Sequence, residues 1–449
     1  MTARDDYTQA LQDFVANVAA DDLPTEVRRE SVRGLVNAVG CTIGGARHEM
    51  VDVALRAMLE FSGRPVASLF GRGEKVDILL AALINGLAGA AYSFDDTYSD
   101  VLLHPNGAIA MAMLALAERS PVAGSDFLTA FAVGAEIACR LTKCLSAPPA
   151  EAELAWSQTG IACGAGAAMA TGRLLGLDAR QLGSALGIAM SQASGTRVAH
   201  GSMTASLIFG QAANTGLRAA LLAQQGFTSS EGSIEKRYGF ASVFAKRANL
   251  PALLEGLGTH FELMSNVYKP YPCAVVIHPA LEGALVLKRR HQFAADDVER
   301  ITLHVGQAAR TLSFRPDPKD DLEAKMSLQH WVAAAALTGK AGIGEGRPEM
   351  VKAPQVAALR QRIDVVPDPD LAQDVARVGV ALKDGRHFEE AVDPCIGSVT
   401  RPMTDDDLAM KFLDQSAAVV GRERAEQLLA ACWQAETATD MGAIARLAC

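Results

Sequence analysis

The chain has 449 residues, too many for one simple core, so two domains are expected. Hydrophobic residues make up 49% and charged residues 21%, the balance of a globular protein, while aromatics are only 5%, which favours close-packed helices with small residues at their crossings. A net charge of −9 with no Lys/Arg run excludes nucleic acid as a partner, and an anionic ligand would need local counter-charges.

From Tyr7 to about Asn249 the pattern is helical almost throughout. Leu11, Phe14, Val15 and Val18, spaced i, i+3, i+4, i+7, mark an amphipathic first helix. Leu23-Pro24-Thr25 ends it and opens the next, where Val32, Leu35, Val36 and Val39 keep the period up to Gly44-Gly45. Further helices are expected over Ile78–Ala91, Ala108–Ala117, Asp126–Leu145, Gly160–Leu174, Ala179–Met190 and Ala205–Gln225, the last closing at Gly226. The apolar run from Ile78 to Phe94 holds Asn85, Gly86 and Gly89 and is flanked by Asp77 and Asp95. It therefore reads as a buried core helix, with no membrane partner. Gly164-Ala165-Gly166 lacks the third glycine, the preceding strand and the acidic partner of a dinucleotide site, so a helix crossing explains it better.

The texture changes near Lys269. Arg300–Val305 and Arg377–Leu382 alternate like strands, and the turn Lys383-Asp384-Gly385-Arg386 leads into another over His387–Ala391. A helix over Glu323–Thr338 lies between them. Thr404…Asp407 resembles a capping box, and helices Leu408–Val420 and Ala425–Glu436 return to the first domain. The expected fold class is mainly α: an all-helical domain of residues 1–268 plus 396–449, with an inserted, smaller α+β domain of residues 269–395. The eight cysteines are scattered without zinc spacing and there is no HExxH, so no metal site is signalled. Free, buried thiols and a polar, acidic N-terminus unlike a signal peptide fit a reducing cytoplasm.

The densest chemistry lies in Ser93-Phe94-Asp95-Asp96-Thr97, followed by His104-Pro105-Asn106-Gly107. Carboxylates so close to apolar helices are costly unless they cap a helix or serve a site. Histidine is the side chain best suited to proton transfer near neutral pH. Asp95, Asp96 and Thr97 either cap the helix starting near Gly107 or belong to a site with His104.

Further segments run in order along nearly the whole chain. They are Leu23-Pro24 with Val39-Gly40 and Gly44-Gly45; Phe94-Asp95-Asp96-Thr97…His104-Pro105; and Thr159-Gly160 with Leu174-Leu175-Gly176-Leu177. They continue with Gly201-Ser202-Met203-Thr204…Gly210-Gln211-Ala212-Ala213, Gln225-Gly226-Phe227-Thr228 and Tyr238-Gly239-Phe240. Last come Lys269-Pro270-Tyr271-Pro272-Cys273, Glu323-Ala324-Lys325-Met326-Ser327-Leu328-Gln329 and Lys411-Phe412. Together they resemble the MmgE/PrpD family, which includes 2-methylcitrate dehydratase, cis-aconitate decarboxylase and iminodisuccinate epimerase. The resemblance implies a helical domain interrupted by a smaller α+β lid, a homodimer, and an active site between the domains without metal or organic cofactor. It also implies a small carboxylate substrate and proton transfer next to a carboxylate, which needs a base, an acid and cations.

Thr97, His104 and Lys269 match the family's catalytic positions. Ser93 replaces an aspartate, Ser157 a histidine, Ala205 a lysine, Ile208 and Ala274 histidines, and His330 a tyrosine. Losing one charge-assisted contact costs on the order of 1.5–3 kcal/mol. These losses therefore point away from a tricarboxylate and toward a less highly charged acid. The resemblance gives His104 and His330 the proton exchange, with Lys269 and Thr97 holding the acid group. Asp95 and Asp96 orient His104 or cap a helix; Ser93, Ser157 and Cys273 are further candidates by position. His200, His278 and Lys325 read as supporting or structural. The reading is a cofactor-free lyase, with an epimerase or a homologue that binds without turnover as alternatives.

Overall fold

The computed structural model describes residues 6–146, 151–152 and 155–449. Helix α1, Tyr7–Asn17, starts where the Asp6 carboxylate accepts the Gln9 N–H, and it buries Leu11 and Val15. Pro24 sets the entrance to α2, Thr25–Gly45, and α3, Glu49–Met58, is a helix the periodicity did not single out. Asp77 caps α4, Ile78–Gly89, accepting from the N–H groups of Leu79 and Leu80 at 3.0 and 3.1 Å. There follow α5 (Asn106–Ala117), α6 (Gly124–Ser146), α7 (Gln158–Leu174), α8 (Ala179–Met190) and α9 (Met203–Gln224). These six helices from α4 to α9 end within two residues of the limits expected from the apolar pattern.

Every residue of α5 except Gly107 is buried, because α4, α7 and α9 surround it. Such close approach needs small residues. A Cβ on Gly210 would lie 2.1 Å from the Leu83 carbonyl oxygen, so α4 and α9 touch backbone to backbone. Gly166 likewise faces the Gly134 carbonyl, where α7 crosses α6, and this accounts for the Gly-Ala-Gly run.

Beyond Lys269 come α10 (His278–His291), β1 (Val298–Val305), α11 (Leu328–Thr338), β2 (Ile363–Pro367), β3 (Ala376–Leu382) and β4 (His387–Val392). The sheet order is β4-β3-β1-β2. β3 runs antiparallel to β4 and β1, with Ile301 opposite Val380, and β2 runs parallel to β1, with Ile301 opposite Ile363. Helix α10 covers the sheet and α11 packs on α10, and both share with the sheet a cluster that includes Leu281, Ile301, Trp331 and Val378. A larger cluster runs through the helices on the other side.

Two details differ from expectation. β2 went unread because a parallel strand gains its partner from a distant segment. The single helix expected over Glu323–Thr338 is a short turn, Asp321–Ala324, followed by a new start at Ser327, whose hydroxyl accepts the His330 N–H at 3.0 Å.

The chain then returns through α12 (Asp405–Val420) and α13 (Arg422–Trp433). Thr404 and Asp407 form the expected capping box. α12 lies along α2: Phe412 packs on Gly40, Asp405 pairs with Arg29 and Arg33, and Lys411 donates to Asn37 at 2.7 Å. Thr97–Tyr98 pairs with Asn266–Val267, tying the loop after α4 to the segment before Lys269. No helix among the described residues is long and apolar enough to cross a membrane.

Candidate active site

After α4 the chain must turn sharply, and Ser93 does so in the left-handed region at φ +51. Tyr98 and Leu103 then bridge, the Tyr98 N–H donating to the Leu103 carbonyl at 2.7 Å, so that His104 comes back beside Asp95–Thr97. The bridge to Asn266–Val267 delivers Lys269 to the same place. The result is a cleft between the helices and the sheet-bearing region, whose interior and mouth together span about 980 Å³.

His104 lines this cleft with its ring stacked on Phe209, centroids 5.6 Å apart. Its Nδ1 lies 2.7 Å from the Asp96 carbonyl oxygen, 3.1 Å from Thr97 Oγ1 and 3.4 Å from Asp95 Oδ2. A carbonyl only accepts, so Nδ1 carries the proton and Nε2 keeps its lone pair. Nε2 has no hydrogen bond among the described residues. Burial, and then the Lys269 charge, press the His104 pKa down to about 4 against the pull of Asp95. At neutral pH it is therefore an uncharged base.

Lys269 is 2% exposed and donates to Asp95 Oδ1 at 3.3 Å. Burial raises the Asp95 carboxyl, but Lys269 and then His104 outweigh it and hold the group below the usual carboxylate range. Asp95 is thus ionised, and its Oδ2 has no full hydrogen bond among the described residues. Ser93 lines the cleft beside it, as does Ser157, whose hydroxyl caps α7 by accepting the Gly160 N–H at 3.4 Å.

The other expected residues sit elsewhere. Asp96 is fully buried off the cleft and accepts the Asn106 N–H at 3.4 Å, so it caps α5. Burial and the neighbouring Asp95 charge raise its carboxyl to about 7. Thr97 is also buried and meets the His104 ring, orienting the imidazole without facing the cleft. Cys273 is wholly buried, and its thiol is pushed well above the usual value by burial. His330 does not reach the cleft: its Nε2 lies 2.8 Å from the Glu345 carbonyl. The helix break at Ser327 sets the phase of α11 and turns this imidazole away from His104.

Three side chains that the sequence reading passed over or placed outside the site line the cleft: Arg197, His200 and Lys325. Burial lowers Lys325 to about 8, opposed by Asp321 and Asp95. Burial, then Arg197 and His104, lower His200 to about 4. The expectation that Ala205, Ile208 and Ala274 leave the cleft short of cations is therefore overturned. Lys269, Lys325 and Arg197 face it with Asp95 as counter-charge. The signal in the sequence was the pair of glycines, Gly195 and Gly201, that bracket Arg197 and His200; both are left-handed, at φ +109 and +94.

Such a set can bind an anion of more than one charge and exchange a proton with it at His104 Nε2. Among the described residues no three His, Cys, Asp or Glu side chains converge as metal ligands would.

Known proteins resemble this chain in sequence over nearly its whole length. Cis-aconitate decarboxylase of Mus musculus is 26% identical over 98% of this chain and 93% of its own length. The protein of the same name from Homo sapiens is 25% identical over 94% of this chain and 90% of its own length. That from Aspergillus terreus (strain NIH 2624 / FGSC A1156) is 25% identical over 95% and 92%. Residues 9–252 match the MmgE/PrpD N-terminal domain and residues 271–435 the MmgE/PrpD C-terminal domain, and the chain therefore belongs to the MmgE/PrpD family.

Proposed function

We propose that this protein is a lyase of a small di- or tricarboxylate, with His104 as its proton carrier. The observation that carries the reading is the juxtaposition of a neutral imidazole, its Nε2 free, with three cationic side chains around one cleft. The relatives named cis-aconitate decarboxylase favour loss of carbon dioxide over loss of water. When the carbon–carboxylate bond breaks, its electron pair stays on carbon and spreads toward a neighbouring carboxylate, where Lys269 and Lys325 offset the charge. A proton must then reach that carbon. A polyanion entering the cleft raises the affinity of His104 for a proton from solvent, and Nε2 passes it on.

Proton NMR in D2O with a panel of small hydroxy-, amino- and unsaturated carboxylates tests this. One compound should lose carbon dioxide and gain a deuteron, and His104→Ala should cut the rate by about 10²–10⁴-fold. Silence across the panel, or full activity in His104→Ala, would overturn it. Because His104 and His200 share the cleft, an epimerase is the second reading; it would give exchange and a stereoisomer with no other product. The lyase is read as a homodimer that needs no metal or organic cofactor, checked by light scattering and by activity after dialysis against a chelator.

A further inference from the structure

We infer that Arg197 selects the substrate by gripping a second carboxylate, remote from the reacting carbon, and so favours di- and tricarboxylates over monocarboxylates. The inference rests on the carboxylate reading above and adds a residue and a discrimination to it.

Arg197 begins a short helical turn, Arg197–Ala199, that is held from both sides. Its own N–H donates to the Ala155 carbonyl at 2.7 Å, Trp156 bridges Thr196, and Arg315 from across the cleft donates to the His200 carbonyl at 3.3 Å. The turn is therefore a fixed platform, and Arg197 lines the cleft from it.

What sets this arginine apart is its lack of a partner. Its Nε is fully buried without a hydrogen bond, and no carboxylate or carbonyl among the described residues meets its guanidinium. The wholly buried arginines elsewhere do have partners for their terminal nitrogens, although the Arg360 Nε also lacks a hydrogen bond. Arg140 pairs with Glu136 and donates to the carbonyls of Leu253, Glu255 and His260; Arg360 holds the Val351 carbonyl and Asp317. A guanidinium stays charged at any working pH, and this one is half-buried with its Nε shielded from solvent and unpaired, an arrangement that an anion in the cleft would complete. Asp95 is not available to it, being engaged by Lys269. Its flat fork of donors matches a carboxylate in two parallel hydrogen bonds. With Lys269 paired to Asp95, Arg197 and Lys325 are the two cleft cations without a direct ion pair among the described residues, one for each of two carboxylates.

Titration calorimetry of the full chain, with succinate, tricarballylate and butyrate as probes, tests the inference. Wild type should bind the first two more tightly than butyrate. Arg197→Gln should weaken succinate and tricarballylate on the order of tenfold to a hundredfold and leave butyrate unchanged. Arg197→Lys, which keeps the charge but not the fork, should recover only part of the loss and guards against a folding artefact. With the substrate found by NMR, Arg197→Gln should raise KM by a similar factor while kcat holds, whereas His104→Ala removes turnover. Equal affinity of Arg197→Gln and wild type for succinate, equal losses for all three probes, or no binding of either polycarboxylate to wild type would overturn the inference. The lyase reading is judged separately, by product formation: turnover with no Arg197 dependence sinks only the inference, and Arg197-dependent binding without turnover sinks only the lyase.

Discussion

A neutral imidazole whose proton is fixed on Nδ1 by a backbone carbonyl is a base over a wide pH range. His104 becomes protonated only near pH 4, and Lys325 loses its charge near pH 8. The proposed step needs His104 to carry a proton and Lys325 to be cationic, so kcat/KM should decline as pH rises above the first value and decline more steeply above the second. Lys325→Met should raise KM and erase the steeper alkaline limb above about pH 8 while leaving the shallower fall set by His104 in place. Steady-state pH profiles of the two proteins check this, and an alkaline limb unchanged in the variant would remove Lys325 from substrate binding. At this scale the sequence was half legible. Asp95 and Asp96 are adjacent and chemically identical, yet one joins the cleft and the other caps a helix, because successive side chains of a turning loop point different ways.

Helices were legible because their apolar period records which face is buried, and capping residues such as Asp77 and Thr404 mark their starts. Glycines in that pattern carry a second message, the closeness of a neighbour. At Gly210 a Cβ would meet the Leu83 backbone oxygen at 2.1 Å, which cannot swing aside, whereas at Gly107 nothing lies within 4 Å. Gly210→Ala should therefore cost roughly 1–3 kcal/mol or more by forcing α4 and α9 apart. Gly107→Ala should be neutral or gain up to about 1 kcal/mol. Urea unfolding of both variants measures the contrast. Gly210→Ala should also disturb activity, since Phe209, the next residue, supports the His104 ring.

The molecule as a whole carries buried histidines whose protonation folding opposes. Burial first of all lowers His104, His200 and His330 to about 4 and His278 to about 3, from an ordinary value of 6.5. Below pH 6.5 the unfolded chain takes up protons that the folded chain refuses. The stability these groups contribute is complete above that pH and is lost as pH falls toward 4. The urea midpoint should fall steadily between pH 7 and 4.5. His330→Gln, which keeps a donor for the Glu345 carbonyl, should flatten that fall and leave KM unchanged, because His330 lies off the cleft. A changed KM would return His330 to the site.

The sequence alone determined the helical bundle, the strands β1, β3 and β4, the nearness of Asp95 to His104 and the family. Each is written in spacing, capping or short motifs that neighbouring residues read locally. Only the tertiary structure decided that β2 joins the sheet in parallel, that His330 turns toward Glu345, and that Arg197, His200 and Lys325 supply charge and imidazole to the cleft. Those outcomes depend on where a distant segment docks, on a helix restarting at Ser327 and on left-handed turns at Ser93, Gly195 and Gly201. A side chain's chemistry is set by its residue type, but the cavity it faces is set by the path of the whole chain.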